Sequence, residues 1–287
     1  MTDYPSAPAG PLAVGNDPAT GRVDAGDIGI AYTESGSGEP LVLLHGGESG
    51  RIQYDVFRPL LGDGIRAIAY DQRDTGDSTN PDAPYDLEDL ARDCAALIRG
   101  LGYERAHVFG ASFGGLVALQ LAISVPEVVR TLSVGATVAR VAFVPGSVTG
   151  DIVDLPPDRR ARKMLDFVLT PEGRASEQLV AETMAVLVHR PAAQDARRLD
   201  AVRGVDLTDR LSAITAPTLL VYGGDDPAAR PDVGRGIADA IPGARLEVIP
   251  RVRHGITLEG KDITARLVRE HVLAHPHDDV RTTTGSK

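Results

Sequence analysis

The stretch FGASFGGL, residues 109–116, places a serine between glycines where an apolar run gives way to a helical pattern. The preceding run AHVF is typical of a buried strand, and the following run LVALQLA is typical of a helix. Gly110, Ser112 and Gly114 fit the pattern G-x-S-x-G, in which a tight strand-to-helix turn exposes a serine hydroxyl. Glycine and serine also cluster in ordinary turns, so this stretch alone leaves both interpretations open.

Short apolar runs alternate with amphipathic runs on both sides of this turn. Strands are predicted at 28–33, 41–45, 66–71, 106–110, 131–136, 218–223 and 245–250. Helices are predicted at 55–62, 86–101, 113–125, 231–241 and 260–274. Several strands are continuously apolar, as strands buried on both faces of a parallel sheet must be. The pattern predicts an α/β fold with a mostly parallel, doubly wound sheet.

One region breaks this alternation. Residues 141–205 show helical patterns interrupted by prolines and no clear strand, which predicts a helical cap over the strand ends. The core domain is then formed by residues 23–140 and 206–275. Residues 1–22, rich in proline, alanine and glycine, predict a poorly ordered arm, and residues 276–287 predict a flexible tail.

The overall charge limits the classes of partner. The chain has 287 residues and a formal net charge of -10, which argues against nucleic acid or an anionic membrane surface. It shows neither a signal-peptide pattern nor an apolar run of the roughly 18 residues that a membrane helix needs, so we expect a cytoplasmic protein. Its single cysteine, Cys94, excludes an internal disulfide. The oligomeric state stays open, a homodimer included.

A serine nucleophile needs a base, and the base needs an orienting acid. His254 follows the last predicted strand, and Asp225 and Asp226 follow the strand at 218–223. Ser112 likewise follows its strand, and open α/β sheets place their sites at the carboxyl ends of the strands. The sequence therefore predicts a serine–histidine–aspartate site, with either aspartate as the acid.

A fourth element stabilises the negative charge that develops on the substrate oxygen. His45, Gly46 and Gly47 end an early apolar strand, and glycines let backbone N–H groups approach a substrate closely. We expect the donors to be the N–H groups of Gly47 and of Phe113, the residue after the serine. The sequence contains no HExxH or CxxC pattern, so neither a catalytic metal nor a cofactor is predicted.

Together these motifs resemble the α/β-hydrolase superfamily. The resemblance rests on HGG at 45–47, DQRDTGDS at 71–78, GASFGG at 110–115, APTLLVYGGDDP at 216–227 and VRHG at 252–255. In that family the acid stands three residues after the glycine that ends its strand, which selects Asp226 over Asp225. The oxyanion loop lacks the proline that often follows the glycines, and Asp74 stands where the family more often has glycine. These two departures leave the roles of Glu48 and Asp74 unassigned.

Within the superfamily the chain is similar to small capped serine esterases and lactonases. The resemblance implies hydrolysis of a small-molecule ester or lactone, with a hydrophobic substrate favoured. Three alternatives remain: a ligand receptor on the same fold, lyase or perhydrolase chemistry from the same triad, and a dinucleotide-binding loop. The last is disfavoured because Ser112 occupies a required glycine position and the next strand ends without an acidic residue.

Overall fold

The computed structural model describes residues 18–142, 155 and 157–277, with backbone alone at 157–158. Most of the predicted arm, residues 1–17, lies outside the described residues. The same holds for 143–154 and 156 of the predicted cap and for 278–287 of the predicted tail.

The described residues form one eight-stranded sheet in the order β1-β2-β4-β3-β5-β6-β7-β8. Strand β2 runs antiparallel to its neighbours β1 and β4, and the pairings from β4 to β8 are parallel. The strands are β1 Ala19–Ala25, β2 Ile28–Gly36, β3 Gly38–Leu44, β4 Gly64–Tyr70, β5 Ala106–Ala111, β6 Val129–Gly135, β7 Thr218–Gly223 and β8 Arg245–Ile249. The predicted fold class is thus confirmed.

Eight helices are present in the part of the chain that the structure describes. They are α1 Leu87–Gly100, α2 Phe113–Ser124, α3 Pro157–Val168, α4 Pro171–Arg174, α5 Glu177–Ala185, α6 Ala192–Asp200, α7 Pro231–Ala240 and α8 Lys261–Leu273. Helix α1 begins with a capping box, in which the side chains of Asp86 and Asp89 each accept the other's backbone N–H. Helix α2 is buried along almost its whole length, because it packs against both α1 and the sheet.

Two sequence predictions were wrong in this core. The arm was expected to reach residue 22, but β1 already begins at Ala19. This strand lies at the sheet edge and its side chains are largely exposed, so it carries no apolar signal. A helix was expected at 55–62, but the chain forms two 3₁₀ turns, Arg51–Tyr54 and Arg58–Leu61. Pro59 has no N–H to donate and clashes with a preceding helical turn, which prevents a continuous α-helix.

Helices α3 to α6 lie between β6 and β7 in sequence; we call residues 157–200 the α3–α6 segment. The chain leaves the core near Val141 and returns to it near Val205. These two points are adjacent, because the N–H of Val141 donates to the C=O of Val205 at 2.9 Å. The N–H of Leu207 likewise donates to the C=O of Ala139 at 2.8 Å. This pairing supports the cap at 141–205, which stays an interpretation.

The apolar side chains form two clusters. The larger is built from the sheet and from helices α1, α2, α7 and α8, and the smaller joins the α3–α6 segment to Leu258. Within the described residues, no helix is both long and apolar enough to cross a bilayer. At the other end of the chain, His277 donates its N–H to Glu39 at 3.1 Å, so the start of the predicted flexible tail is anchored to β3.

Candidate active site

The turn between β5 and α2 holds Ser112 in an uncommon backbone conformation. Its φ is 55° and its ψ is -119°, although a side chain disfavours positive φ. The N–H of Ser112 donates to the C=O of Gly135 at 2.9 Å, and its own C=O accepts from the Thr137 hydroxyl at 2.7 Å. These bonds to the end of β6 and the residues after it hold a strained residue in place, as is common at functional sites.

The glycines on either side of Ser112 are required by backbone clearance. A Cβ at Gly110 would stand 2.2 Å from the carbonyl oxygen of Gly114. A Cβ at Gly114 would stand 2.1 Å from the carbonyl oxygen of Leu44, in the neighbouring strand β3. Because these neighbours are backbone atoms, they cannot turn aside as a side chain would. The glycines of the G-x-S-x-G pattern therefore let the turn approach β3 closely.

We expect Gly114→Ala to destabilise the fold by about 3 kcal/mol, because overpacking here must shift two backbone segments. Gly236→Ala is the matched control, since a Cβ at Gly236 in helix α7 meets open space. Alanine in that helix should raise the free energy of unfolding by up to about 1 kcal/mol. Urea unfolding of both variants measures the difference, and equal stabilities would contradict the clearance argument.

Ser112, His254 and Asp226 form one hydrogen-bonded chain. The His254 Nε2 lies 2.9 Å from the Ser112 Oγ, and the His254 Nδ1 lies 2.8 Å from the Asp226 Oδ2. The carboxylate can only accept, so Nδ1 carries the ring proton and Nε2 is left to accept the serine proton. The structure thus brings together three residues that are up to 142 positions apart in sequence.

The Asp226 side chain is fully buried, yet its charge is well solvated by the protein. Its Oδ1 accepts the backbone N–H groups of Ala228 and Ala229, both at 2.9 Å, while Oδ2 faces His254. Asp225, the other candidate acid, is exposed. Both carboxylates follow Gly223, where a Cβ would lie 2.1 Å from the carbonyl oxygen of Arg253, so the loops of acid and base pack backbone to backbone.

The loop after β3 passes beside the serine turn. The N–H of Gly46 donates to the Gln53 Oε1 at 2.8 Å, so it is not available to a ligand. Among the described residues, no hydrogen bond uses the N–H of Gly47 or of Phe113. A Cβ at Gly47 would lie 3.7 Å from the Phe113 Cβ, an ordinary contact. The two expected donors thus lie side by side, Gly47 in the loop after β3 and Phe113 at the start of α2, and both N–H groups are unpaired among the described hydrogen bonds.

Gln53 is a residue that the sequence reasoning missed. Its side chain is buried, accepts from Gly46 and donates to the Thr257 hydroxyl at 3.1 Å. It therefore joins the loop after β3, which holds Gly46 and Gly47 and which we call the glycine loop, to the loop that carries His254. In the sequence Gln53 stands in RIQYD, just before the largely apolar run VFRPLL. Glutamine is usually exposed, so its position alone did not indicate a buried role.

His45, by contrast, is part of the loop's framework. It is fully buried, with Nδ1 2.8 Å from the C=O of Gly46 and Nε2 accepting the N–H of Gln72 at 3.2 Å. Burial, together with the nearby guanidinium groups of Arg198 and Arg190, holds the pKa of His45 well below its usual range. The ring is therefore neutral and locked in one tautomer.

The α3–α6 segment contacts the glycine loop through arginines. Arg190 donates to the C=O of Gly47 at 2.8 Å and also to the C=O of Ser49. The N–H of Val188 donates to the C=O of Glu48 at 2.9 Å, and the Glu48 carboxylate lies 3.6 Å from Arg160. Glu48 therefore helps to join the loop to this segment.

Asp74, the second unassigned residue, also contacts this segment. It has a φ of 57° and receives both ends of the Arg197 guanidinium, at 2.9 and 2.8 Å. Burial raises the pKa of Asp74, but hydrogen bonds from Arg197 and Asn80 outweigh this, and the net pKa is lower than usual. A glycine at this position could not make the bidentate contact.

Side chains from the α3–α6 segment cover His254 and Phe113. The Phe167 ring lies over the His254 ring with 4.3 Å between centroids, and the N–H of Gly255 donates to the C=O of Val168 at 2.9 Å. The Arg198 guanidinium lies 4.4 Å from the centroid of the Phe113 ring. Burial lowers the pKa of Arg198 to about 10. The segment thus covers the His254 ring and one face of the Phe113 ring.

Comparisons with known proteins identify the fold family. A family profile described as alpha/beta hydrolase fold matches residues 39–261. The rhodomycin D methylesterase DauP of Streptomyces sp. strain C5 is 31% identical over 271 residues, covering 82% of this chain and 91% of that protein. The "Putative non-heme bromoperoxidase BpoC" of Mycobacterium tuberculosis strain H37Rv is 29% identical over 241 residues, covering 79% and 91%. The enol-lactonase structure from Burkholderia xenovorans LB400 superimposes with a TM-score of 0.79 at 24% identity, covering 88% of this chain and 100% of that chain, which shows a shared fold.

Proposed function

This chain belongs to the alpha/beta hydrolase family, and on that premise we propose that it hydrolyses a carboxylic ester or lactone through an acyl-enzyme intermediate. The hydrogen-bonded chain Ser112–His254–Asp226 carries the proposal. It joins a strained, partly exposed hydroxyl to an imidazole and a buried carboxylate, the arrangement that makes serine a nucleophile.

The residues perform the reaction in two steps. His254 takes the Ser112 proton as the Oγ attacks the carbonyl carbon, and the N–H groups of Gly47 and Phe113 stabilise the resulting oxyanion. His254 then returns the proton to the departing alkoxide oxygen, which leaves as an alcohol. Water, deprotonated by His254, next attacks the acyl group on Ser112. The bond from the acyl carbon to the Ser112 Oγ breaks, His254 returns its proton to that oxygen, and the carboxylic acid is released. With a lactone, the alcohol and the acyl group belong to one molecule, so the product is a hydroxy acid.

A hydrophobic substrate fits the surroundings of the triad. The smaller apolar cluster includes Phe167, which lies over His254, and Leu258 and Ala228, which follow the base and the acid in sequence. An apolar wall of this kind binds an acyl or alcohol group by removing it from water. The relative DauP is named a rhodomycin D methylesterase, which supports a carboxylic ester as the substrate.

The test is turnover of p-nitrophenyl butyrate together with a panel of lactones and methyl esters followed by proton release. We expect steady release of many equivalents of acid per protein molecule. A single stoichiometric burst would instead support a ligand receptor on the same fold. If linear esters turn over and no lactone does, the lactonase branch of the proposal is wrong.

A perhydrolase activity is the second candidate, because the relative BpoC is named a bromoperoxidase. In this reaction hydrogen peroxide replaces water as the attacking molecule, and the acyl-enzyme is released as a peracid. The same triad and oxyanion donors would serve both reactions. Peracid formation from hydrogen peroxide and a short-chain ester, measured beside hydrolysis, decides which acceptor is preferred.

A further inference from the structure

A group of three metal-binding side chains lies at the other end of the sheet from the triad. Glu39 stands in β3, His107 in β5 and His277 just beyond α8, and one ligand atom from each lies within 4.8 Å of the others. His107 is five residues before Ser112 along β5 and the following turn, so the two sites are about 16 Å apart along the strand. The group therefore takes no part in the proposed hydrolysis.

Irregular pairing between β5 and β6 places His107 against a hydrogen-bonding partner. Ala106 pairs with Val129, whereas Val108 pairs with Leu132, so the ladder contains a bulge opposite His107. The His107 Nδ1 lies 2.8 Å from the Thr131 hydroxyl on the bulged strand. This contact fixes the ring orientation and turns Nε2 toward Glu39, in the way that an outer partner orients a metal-binding histidine.

The third side chain is delivered by the segment after α8. Arg130 donates to the carbonyl oxygens of His275, at 3.1 Å, and of Pro276. The N–H of His277 donates to the Glu39 Oε1 at 3.1 Å, and the His277 Nε2 lies 2.9 Å from the C=O of Arg105. The backbone N–H and the ring Nε2 of His277 are thus both held by hydrogen-bonding partners, which leaves Nδ1 facing the group.

The closest contact in the group joins His277 to Glu39. The His277 Nδ1 lies 2.5 Å from the Glu39 Oε2, while the His277 Nε2 lies 2.9 Å from the C=O of Arg105. The Nδ1 is therefore the ring nitrogen that faces the group.

One ligand-atom distance in the group matches a tetrahedral metal site. The His107 Nε2 and the Glu39 Oε2 lie 3.3 Å apart. Two ligands of a tetrahedral zinc ion, each at about 2.05 Å, are separated by about 3.3 Å. The pair formed by His277 and Glu39 would have to open by less than one ångström. Zinc readily binds imidazole nitrogens, whereas magnesium and calcium prefer oxygen ligands, so two imidazoles and a carboxylate favour zinc.

We propose that Glu39, His107 and His277 bind one zinc ion, with water as the fourth ligand. The ion joins the amino-terminal ends of β3 and β5 to the chain that follows α8. Its role is structural: it anchors the carboxyl-terminal segment to the sheet. The proposal does not depend on the proposed hydrolase activity, because the two sites share no residue.

The test uses the full chain without an affinity tag, treated with EDTA and then dialysed. Isothermal titration with zinc chloride should give one equivalent of tight binding, and zinc should raise the melting temperature. Cobalt(II) in place of zinc should give the visible absorption of a tetrahedral site. Ester turnover should be the same before and after EDTA, which separates failure of this proposal from failure of the proposed function.

Variants identify the ligands. His277→Ala and Glu39→Gln should each weaken zinc binding by more than about 100-fold, since even loss of an outer partner costs 10- to 100-fold. His275→Ala is the matched control and should bind zinc like the unmodified chain, because the His275 Nδ1 contacts the C=O of His271 and not the group. His277 follows α8 and is partly exposed, so we expect His277→Ala to fold. This variant keeps the test valid if Glu39→Gln fails to fold. Absence of stoichiometric binding, or binding that both variants retain, would overturn the proposal.

Discussion

Replacing Ser112 with alanine is expected to lower kcat for ester hydrolysis by about a million-fold, the cost of removing a serine nucleophile in a comparable triad. On the proposed mechanism the variant loses the attacking atom, while the proposed oxyanion donors, the N–H groups of Gly47 and Phe113, remain. Residual catalysis of about a thousand-fold over water should therefore persist. Steady-state rates on a p-nitrophenyl ester measure the loss, and mass spectrometry should find no acylated protein.

The control for this variant is Ser124→Ala, at the other end of the same helix. The Ser124 hydroxyl donates to the C=O of Gln120 within α2, and it contacts no member of the triad. We expect unchanged turnover from this variant. If Ser112→Ala kept a rate within tenfold of the original, Ser112 would not be the nucleophile and the acyl-enzyme proposal would be wrong.

Replacing Asp226 with asparagine is expected to lower kcat by about ten-thousand-fold, as for the equivalent change in a serine protease. Asparagine keeps the size of the side chain, and its oxygen can still accept the N–H groups of Ala228 and Ala229. Its NH₂ group would then face the His254 Nδ1, where the carboxylate now accepts. The imidazole would be held in the tautomer that carries its proton on Nε2, and it could not accept the serine proton.

Asp225→Asn is the matched control, because it changes the adjacent carboxylate by the same atoms. Asp225 is exposed and its side chain does not contact His254 among the described hydrogen bonds. We expect this variant to keep nearly full activity. Equal losses in the two variants, or a larger loss at Asp225, would contradict the assignment of Asp226 as the orienting acid.

Local patterns predicted the sheet well where side chains are buried. All seven predicted strands are present. Continuous apolar runs mark the central strands, which are covered on both faces, whereas β8 lies at the edge and is only partly buried. The missed strand β1 is polar and lies at the edge, so its pairing with β2 rather than its composition makes it a strand. The wrongly predicted helix at 55–62 shows that an apolar spacing cannot outweigh a proline within it.

The sequence by itself determined where the reacting groups stand along the chain. A serine between glycines, a histidine and a pair of aspartates each follow a strand, and parallel strands bring their carboxyl ends to one edge. This inference needs only short-range patterns and the rule that strands of a parallel sheet point the same way.

Only the tertiary structure decided which atoms meet. It placed Asp226, the residue that the family resemblance selects, against His254, and it paired the N–H of Gly46 with Gln53. It also paired Asp74 with Arg197 and His277 with Glu39. These contacts join segments that lie far apart in the chain, and they depend on side-chain direction and on loop packing. Neither follows from the spacing of residues in one segment, because each contact is set by the joint packing of two or more segments.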